Sequence, residues 1–382
     1  MTSSKRGTAV TGDLFEIEHP ILLAGMGTAS TPELAAAVSN AGGLGIIGCA
    51  GAGPRQLREW IQRTRSLTDK PFGVDTLLPA SVRRGTNLKA PSNGPLPQDL
   101  VPELQEFASR FLAEQGIPEA DPSQVFPEPD GPALFTKEFF ETQMDIIIEE
   151  KVPVYASGLG SPQPWMERLK ANGTKVLCVV GTVRHALQVV PVGIDAVVAQ
   201  GHDGGGHNSP IGTMALIPQV VDAVGDKVPV IGAGGISDGR GIAAAMMLGA
   251  SGVWVGSAFL ASEEAGILDG QKQALVEANE EGTTVSRSVT GKPARMIKSK
   301  WTKLWEESDH EPLTMPFQGQ ISRPALVAAN LAGRAQDVNP GFAGQGIGMI
   351  KAVRPAAEIM RDLIDSMESV LATRTRELGV NG

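Results

Sequence analysis

The sequence predicts a (β/α)8 TIM barrel with a smaller, mainly helical second domain and an insertion after the third strand. Eight short apolar runs alternate with helix-like segments along most of the chain. The 382 residues suit a barrel of roughly 250 residues plus insertions. The 46 glycines cluster just after the apolar runs, where a barrel carries its ligand-binding loops. Eight strand–helix units favour a closed barrel over an open doubly wound sheet.

Each predicted strand is a near-continuous apolar run, as expected for parallel strands that are covered on both faces. The eight predicted strands are Ile21–Ala24, Leu44–Ile47, Phe72–Thr76, Val152–Ala156, Val176–Val180, Ala196–Ala199, Pro229–Ala233 and Gly252–Val255.

Helix-like segments separate these runs. Thr31 is a predicted N-cap with Pro32 in the first turn, and Thr136 is a second one with Glu138 behind it. The other predicted helices are Pro54–Ser66, Pro164–Ala171, Thr182–Val189, Pro218–Val224 and Gly239–Leu248, and the helix after the second N-cap extends to Glu149.

Two regions interrupt this rhythm and define the predicted domains. Residues 1–262 form the barrel, with a Pro- and Gly-rich insertion at 80–135 that contains one helical island near Pro102–Gln115. Residues 263–340 look helical and then irregular, without strand-like runs, and predict a small domain over the barrel mouth. Residues 341–382 return to the barrel and end in a helix around Ala352–Leu378.

Composition excludes several classes of function. The formal net charge is −9 and no basic stripe is visible, so we expect no nucleic-acid partner. No apolar run approaches the roughly 20 residues that span a bilayer, and Met1–Thr11 shows no secretory signal. We therefore expect a cytoplasmic protein without a membrane partner. Cys49 and Cys178 lie in or beside apolar runs and are expected to be buried thiols.

The loops after strands seven and eight carry the residues expected for a phosphate site. Gly234 and Gly235 follow strand seven, and Gly256 and Ser257 follow strand eight. Barrels commonly bind phosphate at this position through backbone N–H groups near a helix N-terminus. The alternative is that these glycines only make tight turns.

The loop after strand six runs from Gln200 to His207 and is the predicted catalytic loop. His207 follows three glycines, where an imidazole can take a proton or hydrogen-bond a developing negative charge. The alternative is a surface-loop histidine. A metal site with His202 and Asp203 is not expected, because the spacing is wrong and no further ligand cluster is visible.

Six motifs in this order resemble the nitronate monooxygenase family, formerly called 2-nitropropane dioxygenases. The resemblance covers most of the chain outside the insertion. The matching segments are 19–26, 40–45, Gln200–His207, Pro229–Ala261, Ser286–Arg295 and Gly344–Gly348.

The resemblance implies an FMN-dependent oxidoreductase that uses O2 to oxidise alkyl nitronates to carbonyl compounds and nitrite. Its partners would be a small nitronate-like substrate and O2, and a homodimer is compatible with the family. His207 would deprotonate a neutral nitroalkane or stabilise the anion. The residues expected to contact the cofactor are Ala24, Gly25, Met26, Asp75, Gln200, Gly205, Gly206, Gly234, Gly235, Gly256, Ser257, Gln345 and Gly346.

The sequence departs from the family pattern near the expected cofactor. Asp203 and Gly204 replace Glu and Ala in the His207 motif, and Asp75 stands where many relatives have Asn. A carboxylate beside the flavin ring would disfavour the reduced anionic flavin, or would itself be protonated.

Three other functions are alternatives, and the residues disfavour two of them. The same motifs resemble flavin-dependent enoyl-acyl-carrier-protein reductases, and an NAD(P)H:quinone reductase is a variant of that reading. An inosine-monophosphate-dehydrogenase-like enzyme would need a cysteine nucleophile, and residues 200–213 contain none. A non-catalytic flavin-binding module is the third alternative, and the histidine in a glycine loop argues against it.

Overall fold

The computed structural model describes residues 9–78, 100–128, 130–134 and 136–379. The strands in these residues are β1 (Ile21–Leu23), β2 (Gly45–Gly48), β3 (Phe72–Leu78), β4 (Val154–Gly160), β5 (Lys175–Val180), β6 (Ala196–Gln200), β7 (Gly206–His207), β8 (Val230–Ala233), β9 (Gly252–Val255), β10 (Thr283–Ser286) and β11 (Ala294–Ile297). The helices are α1 (Ala9–Phe15), α2 (Pro32–Asn40), α3 (Pro54–Leu67), α4 (Leu100–Glu114), α5 (Pro122–Val125), α6 (Lys137–Glu149), α7 (Met166–Ala171), α8 (Val183–Val189), α9 (Thr213–Val224), α10 (Gly239–Met247), α11 (Ser257–Leu260), α12 (Asp269–Glu277), α13 (Lys300–Glu306), α14 (Gly319–Leu331), α15 (Ala335–Val338) and α16 (Ala356–Glu377).

Eight parallel strands form one sheet in the order β1-β9-β8-β6-β5-β4-β3-β2. The two ends of this order meet, because the Leu23 amide donates to the Leu44 carbonyl at 2.9 Å and the Leu44 amide to the Ile21 carbonyl at 3.0 Å. The predicted TIM barrel is therefore confirmed, and each of the eight predicted strands overlaps an observed one.

Side chains on the barrel strands alternate between the barrel interior and the layer beneath the helices. Leu22 and Ile46 belong to the cluster that fills the interior. Their neighbours Ile21 and Ile47 pack instead in a cluster with Leu57 of α3. Because both faces of the sheet are buried, the carboxyl ends of the strands are the part of the barrel that is left to form a functional site.

Two predicted N-caps are confirmed. The Thr31 side chain accepts from the Leu34 amide at 3.0 Å at the start of α2. The Thr136 side chain accepts from the Phe139 amide at 3.2 Å at the start of α6. In each case the hydroxyl satisfies an amide that has no partner within the helix.

Helix α9 begins five residues before the predicted start at Pro218, which lies inside it. The reason is a contact from a distant loop, because the Asp203 side chain accepts from the Thr213 amide at 2.8 Å. That carboxylate caps the helix from the strand-six loop, and the proline costs a single backbone hydrogen bond.

The expectation that residues 263–340 contain no strands is wrong. β10 and β11 form an antiparallel hairpin, and β11 also pairs with β7, where Ala294 lies opposite His207. β10 (Thr283–Ser286) is polar and half-buried, so it lacks the apolar pattern that marks a strand in sequence. The rest of this region is mainly helical, as predicted.

The helical island of the insertion is confirmed as α4, while residues 79–99 lie outside the described residues. Leu104 and Phe111 of α4 share a hydrophobic cluster with Trp301 of α13 and Ile321 of α14. The described part of the insertion thus shares a core with the second domain. The domain limits at residues 262 and 340 stay a prediction.

No helix among the described residues is long and apolar enough to cross a membrane. Cys49 and Cys178 are free and buried, as expected.

Candidate active site

The turns after β8 and β9 lie at neighbouring strand ends, since Ala233 pairs with Trp254. Gly234 has φ +107° and Gly235 has φ +70°, a backbone region that side chains other than glycine rarely adopt. The amides of Gly234, Gly235 and Gly256 donate to no carbonyl oxygen or side chain in the part of the chain described. Three unpaired N–H groups at one barrel edge fit an anionic oxygen ligand.

A segment from beyond the second domain joins these turns. The Gly344 amide donates to the Ser257 hydroxyl oxygen at 2.8 Å, and the Gln345 amide donates to the Asp203 carbonyl at 2.8 Å. At Gly346 an added Cβ would lie 2.2 Å from Ser237 Oγ and 2.8 Å from the Gly235 carbonyl oxygen. The structure therefore brings the predicted residues of these three segments together.

The helix α10 is not part of this anion-binding surface. The Asp238 side chain accepts from the Arg240 amide at 3.0 Å and from the Gly241 amide at 3.2 Å. That carboxylate already caps the helix N-terminus. The helix that the sequence predicted beside the phosphate site is α11, which begins at Ser257 with Gly256 as its N-cap.

The end of β1, which neighbours β9, and Asp75 on β3 form the next part of the mouth. A Cβ added to Gly25 would lie 2.2 Å from Asp75 Oδ2, and one on Gly256 would lie 3.2 Å from the Met26 sulfur. The Ala24 amide donates to the Val255 carbonyl at 2.9 Å. These contacts place the predicted residues 24–26 between β9 and the Asp75 carboxyl.

His207 is fixed on both its backbone and its ring. Gln200 Nε2 donates to the His207 carbonyl at 3.0 Å, so this predicted cofactor residue also orders the loop. The His207 ring Nε2 lies 2.9 Å from the hydroxyl oxygen of Thr290. Burial, and secondarily the charge of Lys292, lower the pKa of His207 to about 4. The imidazole is therefore neutral near pH 7.

The contacts of Thr290 indicate which ring nitrogen carries the proton. Its hydroxyl donates to the Lys292 carbonyl at 3.1 Å and accepts from the Lys292 amide at 3.3 Å. With its one proton directed to that carbonyl, the oxygen accepts from His207, and Nε2 is then the ring nitrogen that carries the hydrogen; a hydroxyl turned toward His207 would give the other tautomer. In the first arrangement Nδ1 carries a lone pair and no hydrogen.

The glycine-rich loop around His207 is supported from two sides. The site that Cβ would occupy on Gly205 lies 2.9 Å from the Gly344 nitrogen, whereas Gly206 has φ +73° and open space around it. Arg295 Nε donates to the His202 carbonyl at 3.1 Å. His202 Nδ1 contacts the Ser209 carbonyl at 2.8 Å and so is used within the loop.

Sequence reasoning noticed the segment 286–295 without assigning roles to Thr290, Lys292 or Arg295. All three residues lie in β11 or shortly before it, and β11 pairs with β7 at His207. That pairing joins residues more than eighty positions apart, so local patterns could not reveal it. Within the described residues no group of three or more metal-ligating side chains could hold a metal ion.

Comparison with known proteins identifies the family. The family model for nitronate monooxygenase matches residues 9–366. The chain belongs to the nitronate monooxygenase family. Membership implies an enzyme, an oxidoreductase with a flavin cofactor.

Similar proteins cover nearly the whole chain. A protein of Staphylococcus saprophyticus named "Probable nitronate monooxygenase" is 35% identical over 344 residues, which cover 87% of this chain and 90% of that protein. The nitroalkane oxidase of Streptomyces ansochromogenes is 30% identical, with a TM-score of 0.79 over 95% of this chain and 99% of that one. FabK of Thermotoga maritima is 32% identical, with a TM-score of 0.71 over 98% and 100%.

Proposed function

We propose that this member of the family is an FMN-dependent nitronate monooxygenase that oxidises alkyl nitronates to carbonyl compounds and nitrite with O2. The observation that carries the proposal is a neutral, doubly anchored His207 at the same barrel mouth as three unpaired glycine amides. The first supplies a group that acts on the substrate, and the second suits the phosphate of a nucleotide cofactor.

The donor set fits FMN. The amides of Gly234, Gly235 and Gly256 and the hydroxyl of Ser257 would hold the phosphate, and residues 24–26 with Asp75 would border the ring. When bound, FMN supplies the electron acceptor for the substrate and the means to reduce O2. The protein contributes placement, exclusion of water and hydrogen bonds.

His207 acts on the substrate through Nδ1 in this proposal. A nitronate is already a carbanion, so its oxidation needs no strong base. An imidazole whose pKa lies near 4 is a weak base for a neutral nitroalkane at pH 7. We therefore expect nitronates to react faster than the corresponding neutral nitroalkanes.

The test begins with the colour of the purified protein. We expect a flavin absorbance spectrum, and FMN as the mass of the released cofactor. Under air-free conditions ethylnitronate should bleach that absorbance, and air should restore it with consumption of O2 and release of nitrite. A protein that binds no added FMN, or one whose flavin nitronates cannot reduce, would refute the proposal.

A second candidate is reduction of an enoyl thioester or a quinone with NAD(P)H. It is favoured by the likeness to FabK, which extends over nearly all of both chains. Parallel air-free mixing with NADH, NADPH and ethylnitronate separates the two functions. Rapid bleaching by a nicotinamide nucleotide and none by the nitronate would favour the reductase.

A further inference from the structure

The carboxyl of Asp75 is a buried polar group, one of whose oxygens has no hydrogen-bond partner among the described residues. Asp75 lies on β3, next to Gly48 of β2 and Ala156 of β4. Its neighbour Val74 packs toward the helices, so the side chain of Asp75 points to the opposite face, the barrel interior. It is 5% exposed, and its Oδ1 has no hydrogen-bond partner among the described residues.

Two glycines bring backbone directly against this carboxyl. A Cβ on Gly25 would lie 2.2 Å from Asp75 Oδ2, and a Cβ on Gly158 would lie 2.9 Å from Oδ1. No larger residue fits at Gly25 without moving the carboxyl. Backbone that follows β1 and backbone within β4 thus pack around the Asp75 carboxyl, at the end of the barrel where the cofactor is proposed to bind.

No cation compensates a negative charge at this position. Within the described residues Asp75 forms no ion pair, and the titratable groups that feel its charge are Cys49 and Tyr155. Burial raises the pKa of both those groups far above neutrality, so both are uncharged. Burial also raises the pKa of Asp75 well above its usual range, and the Gly158 amide opposes this only in part.

A protonated carboxyl carries an O–H donor as well as an acceptor. Oδ1 is the oxygen that has no hydrogen-bond partner among the described residues. We infer that Asp75 is a neutral carboxylic acid that donates its hydrogen bond to an acceptor atom on the flavin ring. This inference rests on the proposed cofactor site.

A protonated Asp75 would affect the reduction potential of the cofactor. Reduction adds negative charge to the ring, which favours the protonated form of a neighbouring acid. By linkage, Asp75 must bind reduced flavin more tightly in its protonated form. At high pH the preference for reduced over oxidised flavin falls about tenfold for every pH unit by which reduction raises the pKa of Asp75.

The test uses the FMN-loaded protein and infrared spectroscopy, with no turnover required. At pH 7 we expect the C=O stretch of a protonated carboxyl, lost in Asp75→Asn and retained in Asp145→Asn, a control at an exposed, ion-paired carboxyl. The flavin reduction potential is then followed against pH. The wild-type potential should match that of Asp75→Asn at low pH and fall below it at high pH.

Three outcomes would overturn the inference. The first is a wild-type spectrum without the protonated band at pH 7. The second is a wild-type potential that lies below that of Asp75→Asn by the same amount at every pH, as expected for an Asp75 that is ionised throughout. The third is a wild-type protein that binds no FMN, which would refute the proposed function as well. The first two leave nitronate oxidation intact.

Discussion

His207 combines features set by local sequence with features set by the fold. Its position after three glycines is visible in the sequence. Its neutral state and its tautomer depend on burial, on Lys292 and on Thr290, which follow from the fold. A single residue can therefore be chosen from sequence, but the charge with which it acts cannot.

Replacing His207 with Ala removes the Nδ1 lone pair without disturbing the glycine turns that would hold FMN. We expect full FMN occupancy and a loss of about 100-fold in turnover with neutral nitroethane, the low end of the usual contribution of a general base, because an imidazole with a pKa near 4 is a weak base at pH 7. With ethylnitronate we expect a loss within about tenfold, since one hydrogen bond is removed. Steady-state O2 consumption with both substrates measures this. Equal losses would contradict a role in proton removal.

Thr290 is a positioning residue for His207. Thr290→Val keeps the shape and removes the acceptor of the Nε2 hydrogen, so the ring should lose its fixed tautomer and kcat should fall by up to about tenfold. Thr290→Ser retains the hydroxyl and serves as the control. Nitrogen NMR of the His207 ring reports the tautomer directly. An unchanged ring spectrum in Thr290→Val would show that the hydroxyl does not select it.

The helices and strands that the sequence predicted correctly are those whose signals lie within a few residues. The barrel strands are unbroken apolar runs, and the helices α2 and α6 carry Thr caps, so each signal lies within a few residues. The failures have distant causes. β10 and β11 are held by pairing with β7, and α9 is extended by Asp203 from another loop. The glycines of the site were predictable as turns, whereas their contacts with residues 344–346 were not.

The turn after β8 provides a prediction at this scale. Gly235→Leu adds a side chain to a residue whose φ is +70°, next to the amides that would hold the phosphate. Its Cβ would lie 3.0 Å from the Asp203 Cβ. We expect it to fold and to lose most of its FMN. Gly173→Leu is the matched control, because Gly173 has φ +78°, open space around it and a position before β5 at the other end of the barrel.

Cofactor content after purification, measured from the ratio of flavin to protein absorbance, distinguishes the two glycine variants. If the two variants are equally strained but only Gly235→Leu loses FMN, the loss is due to the position of Gly235 in the phosphate-binding turn. An equal loss of FMN in both variants would mean that backbone strain alone is responsible, and Gly235 would then have no special place in binding.

Over the whole molecule, the barrel and the second domain meet at the site. β7 leaves the barrel loop and pairs with β11, and the chain returns through residues 344–346 to contact the turns after β6, β8 and β9. α4 from the insertion contributes to the core around Trp301 that supports this arrangement. The reacting imidazole is therefore held by both parts of the chain, so its burial depends on their docking.

That burial links His207 to the stability of the molecule. Its pKa is lowered to about 4 in the folded protein, while the unfolded chain titrates near 6.5. The stabilisation from the neutral ring is complete above about pH 6.5 and is lost as pH falls toward 4, for a total of about 3 kcal/mol. Asp75 acts in the opposite sense, because its raised pKa favours the folded state at low pH and loses that effect as pH rises.

The two groups partly cancel, so a wild-type stability curve alone would hide the His207 contribution. The comparison that isolates it is wild type against His207→Gln, an uncharged variant whose amide can still donate to Thr290. Urea unfolding from pH 7 to pH 4 should show the free energy of unfolding falling more steeply in the wild type. The difference should grow toward about 3 kcal/mol at the acid end. Parallel curves would mean that the imidazole takes up its proton as readily in the folded protein as in the unfolded chain. The docking of the barrel against the second domain would then not be what keeps the imidazole neutral.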